Sequence, residues 1–455
     1  MTKNELELLF NQNSTRFLDE WKTLLRFPSV GVDPERTTDC RACAEWLRAH
    51  LTGLGFSACL LPTDSHPVVF AERPGKPGKP TVLFYGHYDV QPPDPLDQWQ
   101  SPPFEPDVRD GRLYARGASD NKGQSFAALK ALETLIRSNA LDCPMKILLE
   151  GDEESGRLPI LKLLQTQSPL MRADVVMSAD MGAVSSGAPT LTMGLRGIAS
   201  MTLVLSGANY DLHSGVHGGR APNPAHGLAR LIASLHRDDG GVAVEGFYDG
   251  VREPTVRERE LANAAGLDPV WFDRMFGVPP VGGETAYTPI ERTSFRPALD
   301  VNGIHSGYGG AGSKTIIPAQ ALAKISVRLV PGQDPERILN AVIRHLEHRV
   351  PPGLRLEITE RAAGSPAVRV NLDSRPIRIA GDVLGQLSAL PVAYLWEGAS
   401  VPIMAHLPAA AGAEPVLVGF GSDADRIHAP NESYSLEQFR MCFLYTALFL
   451  SRLQE

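Results

Sequence analysis

The chain is poor in the features that would tie it to a membrane, to nucleic acid or to an oxidising compartment. Its five cysteines, Cys40, Cys43, Cys59, Cys143 and Cys442, are spread over 455 residues. So sparse and odd a set makes no disulfide framework and points to reduced thiols. Cys40 and Cys43 form a CxxC, but no second pair follows. The surrounding TTDCRACAEWLRAHL reads as a helix opened by a Thr or Asp cap, which sets redox or zinc chemistry there aside. No apolar run approaches the roughly 18 residues of a membrane helix. No long basic block accompanies the formal charge of −8, so nucleic acid and anionic membranes are not attracted in general. The opening MTKNELELLFNQNSTRFLDEWKTLL lacks the basic flank and apolar block of a signal peptide and has the spacing of an amphipathic helix. Internal repeats and low-complexity segments are missing too, GKPGKP at 75–80 being only a turn-rich loop. A soluble, cytoplasmic protein acting on small molecules or peptides is expected, with length for about two to three domains.

What is present is an alternation of strand and helix signals from about residue 80. TVLFYGHYDV, KILLE and ADVVMSAD read as strands, and SFAALKALETLIRS and LPILKLLQT as helices. That order predicts βαβ units and a mostly parallel, helix-covered sheet. After residue 193 the pattern changes to IASMTLVLSG, a helix around PAHGLARLIASLH, a long Pro- and Gly-rich passage, ALAKISVRLVP, a helix around DPERILNAVIRHLEHRV, and LRLEITE. This reads as an α+β domain over 194–370 inserted into a first domain made of 1–193 and 371–455. SRPIRIAGDVLGQL would supply a helix and PVLVGFG a late strand of that first domain. Gly187, Gly194 and Gly197 are expected at the hinge.

Charge is distributed unevenly in one place. EGDEESG packs Glu150, Asp152, Glu153 and Glu154 into five positions directly after the apolar run MKILL, although like charges this close repel. Acids and histidines recur at other strand ends of the first domain: His87 and Asp89 in GHYDV, Asp120 after LYARGAS, Asp180 after DVVMSA, and His428 after PVLVGFGSDADRI. Ligands and catalytic groups collect at the carboxyl ends of strands in open α/β sheets. Two imidazoles and several carboxylates gathered at one sheet edge have the composition of a two-metal site. Nitrogen and oxygen donors without thiolate suit Zn²⁺ first, then Mn²⁺ or Co²⁺. Adjacent side chains such as Glu153 and Glu154 point in different directions, so one can serve as ligand and the other as base.

The ordered set GHYDV, ARGASDNKG, EGDEESG, SADMG, DLHSGVHGG, GSKTIIP, RLVP, EGASVP and GSDADRIHAPNE resembles the co-catalytic zinc peptidases that include carnosinase, cytosolic nonspecific dipeptidase, aminoacylase and carboxypeptidase G. It runs from about residue 10 to the end and is nearest to the carnosinase-like dipeptidases. The resemblance implies two Zn²⁺ per subunit. His87 and Asp180 would hold one, Glu154 and His428 the other, with Asp120 bridging. It implies that Asp89 orients His87 and that Glu153 is the general base. His213 of the HSG motif would reach a neighbouring subunit's site in a homodimer. Thr315, Arg328 and Ser400 match substrate-binding positions, and the inserted domain would act as lid and dimerisation domain. The Asp120–Asn121 bond matches a position of a cis peptide.

The implied reaction is hydrolysis of dipeptides or short peptides with a free C-terminal carboxylate. An N-acyl or N-carbamoyl amino acid amidohydrolase is the alternative, since the metal site alone would serve any amide. A non-catalytic, metal-stabilised binding protein is the third reading, against which Glu153 weighs, because a structural site needs ligands but no base. Two superficial motifs fail. His213 and His217 lie four apart, but Ser214 stands where a zincin needs Glu. In GYGGAGSKT, Ser313 interrupts the phosphate-loop pattern.

Overall fold

The computed structural model describes residues 1–184, 187–266 and 268–455. They fall into two compact units, one of residues 1–193, 370–395 and 406–455, the other of 194–369 and 396–405. Residues 396–405, expected with the first domain, therefore belong to the second unit. Local bonds explain the correction. Ser400 Oγ accepts from Arg328 Nη1 at 2.9 Å, Arg196 Nε donates to Gly398 O at 3.0 Å, and Ser294 Oγ to Trp396 O at 3.1 Å.

The first unit's sheet has the strand order Ser57–Leu61, Val68–Arg73, Met145–Glu150, Val82–His87, Val175–Gly182, Glu414–Gly421, Thr190–Leu195. The pairings among Met145–Glu150, Val82–His87, Val175–Gly182 and Glu414–Gly421 are parallel. Both flanks are antiparallel, so the sheet is mixed, parallel only in its centre. That centre is where continuous apolar runs were legible, as strands buried on both faces require. All six residues of Val82–His87 are buried.

Helices cover this sheet. Lys122–Arg137 packs against Val82–His87 and Val175–Gly182, and against Lys3–Leu25 and Leu436–Leu453. It is buried on every side from Lys122 to Leu135. The three-helix contact is sealed by aromatics, with Phe10 and Phe443 centroids 5.0 Å apart and Trp21 stacked on Phe439 at 4.7 Å. Thr37–Gly53 forms the helix that carries Cys40 and Cys43, but no side chain caps it. Asp33 instead caps the 3₁₀ turn Pro34–Arg36 that leads into it, accepting from Glu35 N. Both thiols are buried, and burial pushes Cys40 up to about 12. Among the described residues, no helix is long and apolar enough to cross a membrane.

The second unit is built on an antiparallel sheet in the order Ala298–Ser306, Gln320–Leu329, Gly197–Ser206, Arg355–Ser365. In QALAKISVRL the alternate residues Ala321, Ala323, Ile325, Val327 and Leu329 are buried, the period-2 signature of a one-sided sheet. They pack with Leu228 and Leu231 of the Pro224–Ala233 helix and with Ile338, Leu339 and Val342 of Pro335–Glu347. Arg328 has the opposite parity and so lies on the other face. Among its described residues, the Pro- and Gly-rich passage forms the helices Val256–Ala265, Pro269–Phe276 and Pro289–Ser294. Two open on capping boxes, Thr255 with Glu258 and Thr288 with Glu291, a signal that TVRE and TPIE carry openly.

Candidate active site

The Val82–His87 strand ends on His87, whose ring is held from both sides. Nδ1 faces Asp89 O at 3.1 Å and Asp89 Oδ1 at 3.3 Å. Nε2 faces Asp120 Oδ1 at 3.1 Å and Asp180 Oδ2 at 3.7 Å. Asp120 turns its other oxygen, Oδ2, to His428 Nε2 at 2.9 Å, and His428 Nε2 lies 3.1 Å from Glu154 Oε1. Two donor groups result, His87–Asp120–Asp180 and Asp120–Glu154–His428, each with ligand atoms within 4.8 Å of one another. Asp120 is common to both.

Neighbours fix these donors. Asn121 Nδ2 donates to Asp180 Oδ1 at 2.6 Å, Gln91 Nε2 to Glu154 Oε2 at 2.8 Å, and Glu154 N to Asp89 Oδ2 at 3.0 Å. Asp89 thus touches a residue of each group. The Asp120–Asn121 peptide is cis. Of the four crowded acids only Glu154 joins a donor group. Glu150 accepts from Tyr85 Oη, while Asp152 accepts from Ser65 Oγ at 2.7 Å and His66 N at 2.9 Å. Repulsion is relieved by sending the carboxylates in different directions.

Burial and crowded charge set the electrostatics of these groups. Burial raises Glu153 to about 7, with Glu154 and Asp120 adding to the effect against His87. Asp180 is pushed well above the usual carboxylate range by burial, then by the Asp120, Glu153 and Glu154 charges against the opposing pull of His87. The bonds from Asp120 and Glu154 raise His428 to about 10. Carboxylates that draw positive charge this strongly, arranged as two nitrogen- and oxygen-donor groups sharing one bridging carboxylate, fit a pair of divalent cations.

A third donor group, Glu20, His50 and Glu133, satisfies the same distance criterion. Its cation is already there. Lys130 Nζ bonds Glu20 Oε2, lies 2.9 Å from His50 Nε2 and donates to Glu133 Oε2 at 2.7 Å. Arg16 bonds the same two carboxylates, Glu20 Oε1 at 2.9 Å and Glu133 Oε1 at 2.8 Å, so two cations balance two anions.

The remaining sequence-derived residues lie in the second unit. Arg328 and Ser400 are in contact, and Ser400 Oγ also donates to Arg196 O. Thr315 O accepts from Ser214 N at 3.0 Å. His213 is exposed, and its Nδ1 accepts from Gly215 N at 3.0 Å at the head of the single turn Ser214–His217. Sequence reasoning missed Gln91, Asn121, Asp425 and Glu432. Asn121 stands inside the quoted motif ARGASDNKG, and Asp425 and Glu432 inside GSDADRIHAPNE.

Residues 83–452 match the model of Peptidase family M20/M25/M40. A cysteinylglycine-S-conjugate dipeptidase of Corynebacterium striatum is 30% identical over 449 residues, covering 96% of this chain and 95% of that one. The M20 family metallo-carboxypeptidase Sso-CP2 from Sulfolobus solfataricus superposes with a TM-score of 0.85 at 31% identity, over 96% of this chain and 99% of its own. Human carnosine dipeptidase 1 superposes with a TM-score of 0.79 at 26% identity, over 100% and 99%. With the motifs, the mixed sheet and the paired donor groups in agreement, the chain belongs to peptidase family M20/M25/M40 and is a metal-dependent hydrolase of that family.

Proposed function

We propose that the protein is a di-zinc dipeptidase that cleaves dipeptides or short peptides bearing a free C-terminal carboxylate. The observation that carries the reading is Asp120, which offers one oxygen to each donor group. His87 and Asp180 complete one group and Glu154 and His428 the other. Two Zn²⁺ held there would polarise the scissile carbonyl and acidify the attacking water.

The chain's own residues do the rest. Glu153, a carboxylate of raised proton affinity beside the donors, takes the proton of the attacking water and returns it to the departing amine. Asp89 keeps His87 in the tautomer that presents Nε2. His213 donates to the developing oxyanion from a neighbouring copy of the chain, which makes the working unit a homodimer. Arg328 receives the substrate carboxylate, where its planar fork gives two parallel bonds, with Ser400 steadying it at 2.9 Å and Thr315 as a further substrate contact. The relatives' activities, a dipeptidase of cysteinylglycine conjugates and a metallo-carboxypeptidase, support a substrate with a free carboxyl end. The sparse free thiols support a place in the cytoplasm.

The test is hydrolysis of free dipeptides beside N-acetyl and N-carbamoyl amino acids by chelator-stripped protein, with and without added Zn²⁺ or Mn²⁺. Metal-dependent release of amino acids from free dipeptides is expected. Cleavage confined to the acylated compounds would move the protein to the deacylases, and turnover without metal would overturn the di-metal reading.

A further inference from the structure

The segment that carries His428 is unusual in its backbone. Arg426, His428 and Asn431 all have positive φ, at 55°, 64° and 63°. Side-chain-bearing residues avoid this left-handed region, and a cluster of them persists only where the surroundings hold it. Here the surroundings are two buried carboxylates, one at each end of the segment.

Glu432 is 1% exposed and accepts from four N–H groups of the loop that ends at Asp120. Its Oε2 takes Arg116 Nη1 at 2.8 Å and Gly117 N at 2.9 Å, and its Oε1 takes Ser119 N at 2.9 Å and Asp120 N at 3.1 Å. Asp425 is fully buried and holds the same loop through Ser119 Oγ at 2.9 Å. It also accepts from Arg112 Nη2, and from Ser422 Oγ at 2.9 Å and Ser422 N at 2.8 Å. The two loops that supply the shared ligand Asp120 and the ligand His428 are thereby joined by protein hydrogen bonds alone. Every one of these bonds can form before an ion arrives.

We propose that Glu432, with Asp425, preassembles both donor groups, Glu432 acting as the positioning residue of Asp120 and so setting the affinity of both ions together. The inference rests on the di-metal reading above. It separates Glu432 from positioning residues that serve one group only, such as Gln91, which touches Glu154. Glutamine at 432 has the same shape but one accepting oxygen, and its NH₂ would confront two N–H donors.

Two measurements test it. In metal-stripped wild-type protein, the amides of Gly117, Ser119 and Asp120 should exchange with solvent at least about a hundredfold more slowly than in a free peptide. Exchange at the free rate until Zn²⁺ is added would overturn preassembly. In a chelator-competition titration, Glu432→Gln should weaken both Zn²⁺ ions by about 10–100-fold and shift the Co²⁺ absorption spectrum, whereas Gln91→Met should weaken one. Unchanged affinity in Glu432→Gln, or loss confined to one ion, would overturn the assignment. Should that variant fail to fold, as its circular dichroism would reveal, the exchange measurement on wild type decides alone. A wild-type chain that takes up no Zn²⁺ would instead sink the di-metal reading and this inference with it.

Discussion

At the scale of single residues, adjacent carboxylates are given different work by what surrounds them. Glu154 is tied to Gln91 and His428, whereas Glu153 is left with a raised proton affinity and belongs to no donor group. Glu153→Gln should therefore keep its metal content and lose about 10²–10⁴-fold in kcat, the range of general acid–base catalysis. Asp120→Ala should lose both ions. Metal analysis beside turnover checks the pair, and equal metal loss in both variants would end the division of labour. Arg328 gives a second prediction at this scale. Arg328→Lys keeps the charge but not the fork, so KM for free dipeptides should rise about tenfold with kcat little changed. A fall confined to kcat would move Arg328 out of substrate binding.

At the scale of elements, the helix Lys122–Arg137 illustrates a surface-type residue put to use in the interior. Lys130 is fully buried between Glu20 and Glu133, and Arg16 pairs with both carboxylates. Lys130→Met removes the buried cation between two carboxylates, leaving Glu20 to Arg16 and Glu133 to Arg16 and Arg137, and should cost about 1–3 kcal/mol in denaturant unfolding. The same pair predicts acid lability. Against the effect of burial, the bonds from Lys130 and Arg16 hold Glu133 down, to about 2. A depressed carboxylate stabilises the fold above its unfolded value of about 4.3 and ceases to do so as pH falls through its folded value. Stability should decline between about pH 4 and pH 2, and Glu133→Gln should flatten that part of the profile. Capping adds a smaller element-scale effect. Thr255→Ala removes one half of a capping box and should cost about 1 kcal/mol by thermal unfolding.

At the scale of the whole molecule, the proposed homodimer makes a quantitative claim. If His213 serves a neighbouring copy, mixing equal amounts of Glu153→Gln and His213→Asn protein should restore about a quarter of wild-type activity, since half the dimers then hold one complete site. No restoration after subunit exchange would confine His213 to its own chain or remove it from the chemistry. The same scale shows where the sequence ceased to be legible. His87, Glu154 and Asp180 could be found because each stands at the end of an apolar run, and the parallel centre of the sheet was visible for the same reason. The antiparallel flanks were not, because strand pairing between distant segments leaves no local mark. Glu432 and Asp425 lie over 300 residues from the loop they clamp, and no periodicity links such positions. Residues 396–405 were misplaced because Ser400 is committed to Arg328 and Arg196 by single bonds. The helices at 256–265 and 289–294 were readable but passed over, since Pro and Gly around them masked their capping boxes.

The Lys130 nest has a consequence of its own. Its positive charge is part of the polypeptide, so it arrives with the ribosome's product and cannot be sequestered, exchanged or outcompeted, unlike a dissociable ion. A chain starved of metal should lose its chemistry while this helical layer keeps its charge balance.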